Sequence, residues 1–231
     1  LSLFTNINAQ FDTEHWFAPF SDRMSAGDTE QYLYLSTNKT TPFNVEIYNN
    51  NILYKTVQIS KGNPGVVAID RDLMMTSDQT NLFTAKKMGL HLVADFKFFA
   101  HMRFAMPNHA EIVTSKGKAG LGNNFFAVMT DNSIGRSYIN TTIGVIATEN
   151  NTKIKFIGYN SGIIFSNGVL ASAQPTINIT LNKGETYIID AISNDSTANV
   201  VGLTGTQIES DKPISVTNGN FGFISPNKSN V

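Results

Sequence analysis

The sequence predicts an all-β chain built as two related β-sandwich-like domains from an internal duplication, with few short helical turns. Three observations predict it. The chain repeats itself at domain length, its apolar residues fall in short strand-like runs, and turn residues separate those runs at short intervals.

The repeat comes first. Gly89-Leu-His-Leu-Val-Ala-Asp-Phe-Lys-Phe-Phe-Ala100 aligns with Gly205-Thr-Gln-Ile-Glu-Ser-Asp-Lys-Pro-Ile-Ser-Val216 at an offset of 205 − 89 = 116. Gly89 falls on Gly205, Leu92 on Ile208, Asp95 on Asp211, Phe98 on Ile214 and Ala100 on Val216. Ile59-Ser-Lys-Gly62 followed by Val66-Val-Ala-Ile-Asp70 resembles Leu181-Asn-Lys-Gly184 followed by Tyr187-Ile-Ile-Asp190, at an offset of 183 − 61 = 122. Asn44-Val-Glu-Ile47 against Lys153-Ile-Lys-Phe156 is a third anchor. The unequal offsets place loop insertions between the anchors. A repeat this long is a whole domain, not a solenoid unit of roughly 20–50 residues.

The elements follow in order. Gln31-Tyr-Leu-Tyr-Leu35, Phe43-Asn-Val-Glu-Ile-Tyr48 and Ile52-Leu-Tyr-Lys-Thr-Val-Gln-Ile59 read as strands. Asn49-Asn-Asn51 between the last two suits a hairpin, because Asn tolerates positive φ. Lys61-Gly-Asn-Pro64 is a turn and Gly65-Val-Val-Ala-Ile69 a strand. Asp72-Leu-Met-Met75 and Asn81 to Met88 are short helical turns. Leu90 to Phe104 alternates for long enough to be a strand pair or one bent strand, with His91, Asp95, Lys97 and His101 on its polar face. In the second half Ile143–Ala147, Lys153–Ile157, Thr176–Leu181, Thr186–Asp190 and Ile214–Val216 are strands. Glu149-Asn-Asn151, Asn182-Lys-Gly184, Asn194-Asp-Ser196 and Ser210-Asp-Lys-Pro213 are the turns between them. Pro213 lacks an N–H and is expected to start a strand or sit on an edge. This divides the chain into residues 1–10, a first β-domain at 11–108, a connector with a strand at 109–139, and a second β-domain at 140–231.

Composition narrows the function classes. The net charge of −1 excludes the basic balance of a nucleic-acid binder, so no nucleic-acid partner is expected. There are no cysteines, which removes disulfides, thiol chemistry and Cys-ligated metals. Asn supplies 26 positions while charged residues make up only 15%, so amides and hydroxyls hydrate the surface. No stretch reaches the ~18–20 apolar residues of a membrane helix, and no membrane span is expected. Leu1-Ser-Leu-Phe4 followed by Thr5 to Gln10 resembles the end of a secretory signal peptide with Ala9 at the cleavage position, which points to a secreted or cell-surface protein. The far end, Ser225 to Val231, reads as the interior of a longer protein.

Leu203-Thr-Gly-Thr-Gln-Ile-Glu-Ser-Asp-Lys-Pro-Ile-Ser-Val-Thr-Asn-Gly-Asn220 resembles the signature of the IgGFc-binding protein N-terminal domain family. Val145-Ile-Ala-Thr-Glu-Asn-Asn-Thr-Lys-Ile154 followed by Asn182-Lys-Gly-Glu-Thr-Tyr187 is similar to it as well. Phe11-Asp-Thr-Glu-His-Trp-Phe-Ala-Pro-Phe20 resembles the opening of bacterial members, and His109 to Gly117 with Ala119-Gly-Leu-Gly122 is similar to versions from Bacteroidota. The resemblance covers nearly everything after Gln10. It implies a non-enzymatic, β-rich adhesin-type module of a large secreted protein, binding an unknown protein or glycan, some relatives ending in a type IX secretion sorting domain. It supplies no catalytic or ligand residues. Two other roles fit the same residues: a structural spacer, and an accessory domain of a secreted polysaccharide-degrading enzyme.

The chemistry-bearing residues give no motif. Ser115-Lys-Gly-Lys-Ala-Gly-Leu-Gly122 has the wrong Lys/Ser order for a phosphate loop and reads as a connector. Of His15, His91, His101 and His109, only His91 and His101 share a strand face, and ten strand residues separate them by roughly 33 Å unless a hairpin intervenes. His15, Asp70 and Ser115 could be drawn as a triad, but no Gly-x-Ser-x-Gly elbow is present. Asp70, Asp72 and Asp78, or Asp190 with Asp195, could hold calcium; turn capping is the ordinary role of such aspartates. Trp16 with Phe17 and Phe20 reads as a cluster closing a core, with sugar stacking as the alternative. Asn-x-Ser/Thr occurs at Asn38, Asn140, Asn150, Asn178, Asn194 and Asn227, as chance alone gives in so Asn- and Thr-rich a chain. Catalytic, cofactor and metal residues are therefore none, and the loops at 49–51, 76–81, 160–168 and 194–199 are the candidate ligand contacts.

Overall fold

The computed structural model describes residues 10–22, 30–106, 109–130 and 136–221. Residues 1–9 of the proposed signal-peptide end at 1–10, the sequon at Asn227 and the segment from Ser225 onward lie outside the described residues. The first half contributes β1 (Asp12–Phe17), β2 (Phe20–Ser21), β3 (Glu30–Ser36), β4 (Phe43–Asn49), β5 (Ile52–Ile59), β6 (Gly65–Ala68), β7 (Met75–Thr76) and β8 (Leu90–Met106). The remainder contributes β9 (His109–Thr114), β10 (Gly122–Phe126), β11 (Asn140–Ala147), β12 (Thr152–Ile157), β13 (Thr176–Leu181), β14 (Thr186–Ile192) and β15 (Gln207–Phe221). The helical content among the described residues is short 3-10 turns, among them Arg71–Leu73, Gln79–Asn81 and Thr197–Val200.

Two curled sheets of matching order carry the fold. The first runs β5-β4-β8-β3-β6, with β1 and β9 also paired to β8. The second runs β13-β12-β15-β11-β14, with β10 also paired to β15. The duplication reaches the hydrogen-bond register. Adding 110 to β1 numbers and 116 to β8 numbers turns Asp12–Phe98, Glu14–Val93, His15–Leu92 and Trp16–His91 into Gly122–Ile214, Asn124–Glu209, Phe125–Ile208 and Phe126–Gln207. Both pairs carry a bulge at the same place, between Asp12 and Glu14 and between Gly122 and Asn124. Val45–Ala94 and Ile47–Leu92 likewise become Ile154–Ser210 and Phe156–Ile208, with 109 added to β4. Leu33–Val67 and Leu35–Gly65 become Ile143–Ile189 and Val145–Tyr187, with 110 added to β3 and 122 to β6. Register thus pairs Asp190 with Ala68, two residues before the Asp70 that the sequence alignment matched to it. Gly89 and Gly205, the sequence anchors, both open their long strand at positive φ, +79° and +83°, a conformation that a side chain strains.

Alternation sets the faces. In β4, Phe43, Val45 and Ile47 are buried while Asn44 and Glu46 are exposed; in β12, Ile154 and Phe156 are buried beside Lys153 and Lys155. Phe17, Leu33, Leu35 and Phe98 anchor the first core, and Ile143, Phe156, Phe165 and Ile208 the second. The Leu90 run is one bent strand: its first half pairs with β1 and β4, and from Phe99 onward with β3 and β9. Pro213 lies inside central β15, not at a strand start or an edge. It marks the equivalent bend, where pairing to β12 ends at Ser210 and pairing to β11 begins at Ile214, so no ladder bond is lost. The 109–139 connector is partly sheet: β9 extends the first sheet and β10 belongs to the second.

The second sheet carries a further burden. Every residue of β11 from Asn140 to Ala147 is buried. Ile143, Val145 and Ala147 face the second core, and Thr142, Gly144 and Ile146 face the first half of the chain. Residues 18–22 lie across that face. Thr217 donates to the Ala18 carbonyl at 3.0 Å. The segment 83–86 pairs with β14, with Lys86 and Thr186 exchanging backbone bonds. A Cβ on Gly144 would overlap the Pro19 carbonyl oxygen and stand 2.9 Å from its carbon, so only glycine permits this approach.

Candidate binding surfaces

The residues with most chemistry gather where the two halves meet. On β1, the alternation that buries Phe17 in the first core turns Glu14 and Trp16 to the opposite face, beside His91 of β8. Trp16 stacks on His91 with centroids 3.7 Å apart and planes 13° from parallel. The Glu14 carboxylate accepts from Trp16 Nε1 at 3.0 Å and from His91 Nε2 at 2.9 Å, with Lys118 Nζ 3.7 Å away. Lys183, from the turn before β14, places its Nζ 5.9 Å from the Trp16 ring centroid. Burial pulls the His91 imidazole down to about 4, against the opposing pull of Glu14. Burial pushes Glu14 up, but the Trp16 and His91 donors and the Lys118 charge outweigh it and hold the carboxyl below its ordinary value. At neutral pH the imidazole is neutral and donates its Nε2 proton to an ionised Glu14. With two hydrogen-bond donors and an ammonium already beside it, that carboxylate braces the joint and is no free base.

A second polar knot lies deeper. The Ser21 hydroxyl donates its one proton to Asp190 and lies 3.1 Å from Thr142 Oγ1, which accepts the Ser21 N–H at 3.3 Å; Asn140 donates to Asp190 and, at 2.8 Å, to Ser21 Oγ. Beside it Arg71 pairs with the buried Asp22. Ser21 of the first half meets Thr142, Asn140 and Asp190 of the second, so these bonds form only when the joint is closed.

The sequence-predicted candidates disperse. Trp16 is buried as expected, but in the joint; Phe17 fills the first core and Phe20 packs edge-on against Phe104. His15 is buried against Phe98 and bonds the Phe98 carbonyl through Nε2 at 2.9 Å; burial lowers its pKa. His101 bonds Thr114 at 2.9 Å, and no hairpin folds it back toward His91 because β8 runs unbroken, though bent, through both. The His109 side chain lies outside the described residues. The Ser115–Gly122 loop is held by an internal anion: Lys118 N–H donates to the Asp12 carboxylate at 2.9 Å. Asp78 caps a 3-10 turn through Thr80 N–H at 2.8 Å, Asp72 projects into solvent, and Asp190 sits in the knot. Among the described residues no three His, Cys, Asp or Glu side chains converge on a metal-sized site. Asn140 is buried, so its sequon is closed in the folded chain; Asn38, Asn150, Asn178 and Asn194 are exposed.

The candidate loops differ in freedom. Asn50 and Asn51 take positive φ, as their hairpin reading requires, but Asn51 donates to the Lys183 carbonyl at 2.6 Å, so this turn belongs to the joint. In the 76–81 stretch Asn81 donates to Thr76 Oγ1 at 2.9 Å, closing the loop on itself. The loops 160–168 and 194–199 brace one another: Asn199 accepts from Ile164 N–H at 2.9 Å and donates to the Ile164 carbonyl at 2.8 Å, while Ile163 and Phe165 enter the second core.

Sequence reasoning missed an open groove of about 530 Å³ on the outer face of β13, β12 and β15. Two cross-strand rows line it: Thr180–Lys153 with Asp211, and Asn178–Lys155–Glu209. Lys155 and Glu209 stand 3.7 Å apart, and the Asp211 carboxylate accepts the Lys153 N–H at 2.8 Å. The signal available in the sequence was the outward parity of Lys153 and Lys155 in a strand whose inward residues are Ile154 and Phe156.

No described helix is long and apolar enough to cross a membrane. No curated protein and no solved structure matches the chain. The family model described as IgGFc binding protein matches residues 110–230, from β9 through the whole second sheet and 230 − 110 + 1 = 121 of 231 residues. That family is one of non-enzymatic binding domains, typically extracellular. The matched half and the register it shares with the first half place the chain in the IgGFc binding protein family.

Proposed function

We propose that the chain is a non-catalytic, extracellular or cell-surface adhesion module of a larger secreted protein, exported by a cleaved signal peptide. Its ligand would lie in the groove on β13, β12 and β15. The groove carries the proposal: it is shallow, solvent-open and lined by amide, hydroxyl, ammonium and carboxylate groups in register, with Ile154 and Ile179 adding apolar surface. Its two lysines face one glutamate and one aspartate, so formal charge cancels. Such a surface fits a neutral, hydroxyl-rich ligand, a glycan ahead of a protein. The ion pair at Lys155 and Glu209 offers a donor and an acceptor to hydroxyls at little cost, since exposed ion pairs contribute only ~0–1 kcal/mol to the fold. The domain boundary falls between Thr114 of β9 and Gly122 of β10 in this reading, within the segment read as connector.

The test is a screen of the folded module against a glycan array and a panel of extracellular-matrix proteins. The Lys155→Ala/Glu209→Ala double variant serves as the groove control. Binding by the parent and its loss in the variant, at unchanged melting temperature, is the expected result. No binding to either panel, or binding untouched by the double variant, overturns the proposal.

A further inference from the structure

The joint inside this chain is a heterologous contact between two quasi-equivalent units. The first unit presents a donor face, residues 16–22 and 82–88. The second presents an acceptor face, the outer surfaces of β11 and β14 with the Asn182–Gly184 turn. Register shows that each unit also carries part of the other kind of face, open to solvent: the counterparts of Trp16 and Ala18 are exposed, whereas Asn199 and Leu203, in the counterpart of 82–88, are buried in the second unit. The second unit's donor positions are Phe126 and Val128, equivalent by the offset of 110 to Trp16 and Ala18. Trp16 and Ala18 are 4% and 1% exposed in the joint, while Phe126 and Val128 are 64% and 69% exposed. The first unit's acceptor positions are Tyr34 and Val66, equivalent to Gly144 and Ile188. Ile188 is 1% exposed and Val66 56%. The Lys61-Gly62 turn, equivalent to the docked Lys183-Gly184, is exposed, and both glycines hold positive φ, +86° and +80°.

We propose that a second copy of this chain docks head to tail. The Phe126–Val128 face of one molecule packs on the β3/β6 face of the next, with Lys61 directed at Phe126 as Lys183 is directed at Trp16. The occupant follows from the joint, which shows which face fits which. A heterologous contact made once within a chain does not close on itself, so its two complementary halves remain at opposite ends. Both ends here are apolar where ordinary outer sheet faces are polar, which marks an interaction surface. The contact between chains is looser than the joint. Tyr34 stands where Gly144 admits the Pro19 backbone, so side chains meet in place of backbone, and the association is reversible. It goes beyond ligand binding: chains that string together would present their grooves in series and gain avidity.

Sedimentation velocity of the full chain from about 1 µM to about 300 µM tests this. The expected result is a sedimentation coefficient that rises with concentration and passes the value of a dimer. Phe126→Asp and Val66→Asp, both at exposed positions, each remain monomeric, with circular dichroism and melting temperature reporting that the fold is kept. An equimolar mixture of the two restores a dimer and nothing larger, because one intact donor face meets one intact acceptor face. A parent that stays monomeric throughout overturns the proposal, as does association that persists in both variants.

Discussion

Replacing Gly144 by alanine is the sharpest challenge to the joint. The added Cβ overlaps the Pro19 carbonyl oxygen and lies 2.9 Å from the carbonyl carbon. Both are backbone atoms, so no rotamer change relieves the clash. Separation to ordinary contact moves residues 18–22 by about an ångström or more in a close-packed interior. That movement breaks the bonds from Thr217 to the Ala18 carbonyl, from Ser21 N–H to Thr142 and from Asn140 to Ser21. Each is worth about 1 kcal/mol net, and overpacking itself costs about 1–3 kcal/mol. The expected loss is therefore about 4–6 kcal/mol, or a melting temperature lower by roughly 8–24 °C at about 2–4 °C per kcal/mol for a chain of this size. Hydrogen exchange in residues 16–22 and 140–146 accelerates along with it. The equivalent position in the first unit is Tyr34, on an open face, and Tyr34→Ala costs about 1 kcal/mol or less. A Gly144→Ala chain that melts within a degree of the parent, with exchange unchanged over residues 16–22, would refute the close approach.

Acid weakens the joint through His91: its folded value of about 4 lies below the ordinary 6.5, so its contribution is full above about pH 6.5 and is lost as pH falls toward 4. The loss is about 3 kcal/mol at most, shared with Glu14, whose lowered value adds a second decline below about pH 4.5. His91→Gln, the residue found at equivalent Gln207, keeps a donor to Glu14 and flattens the upper part of that profile, as chemical denaturation across pH will read. Trp16→Ala lowers stability by about 3–5 kcal/mol, whereas Phe126→Ala at the equivalent exposed position changes it by less than about 1 kcal/mol. Thr142→Val strips the buried Ser21 N–H of its acceptor and costs about 1–3 kcal/mol by thermal unfolding, while the same change at exposed Thr180 is close to neutral.

The fold was legible in the sequence because the repeat anchors are residues that backbone geometry constrains. Gly89 and Gly205 open the long strands at positive φ, and Lys61-Gly62 and Lys183-Gly184 turn at positive φ. The offset of 122 read from that turn is the one the β6 and β14 registers obey. The equivalence of β1 and β10 is not legible in their side chains, because Trp16 is enclosed in the joint and Phe126 is open on the chain's surface. Pro213 departs from the edge or strand-start rule because that rule assumes one continuous ladder, whereas β15 changes partners at that residue. The joint left only oblique traces. Asn140-Thr-Thr-Ile-Gly-Val-Ile-Ala147 lacks the charged outward residues of a solvated strand, a sign that both faces are covered. The groove was the least legible feature, because exposed lysines, amides and acids on a strand look the same whether the face beneath them is flat or concave.

The most direct test is a nitrogen-15 nuclear magnetic resonance titration of the folded chain with the ligand the screen returns. The predicted result is chemical-shift changes concentrated at residues 153–155, 178–180 and 209–211, saturating together and absent in the Lys155→Ala/Glu209→Ala chain. Changes centred on the 160–168 and 194–199 loops, or on the first sheet, with the groove silent, would contradict the assignment of binding to this face.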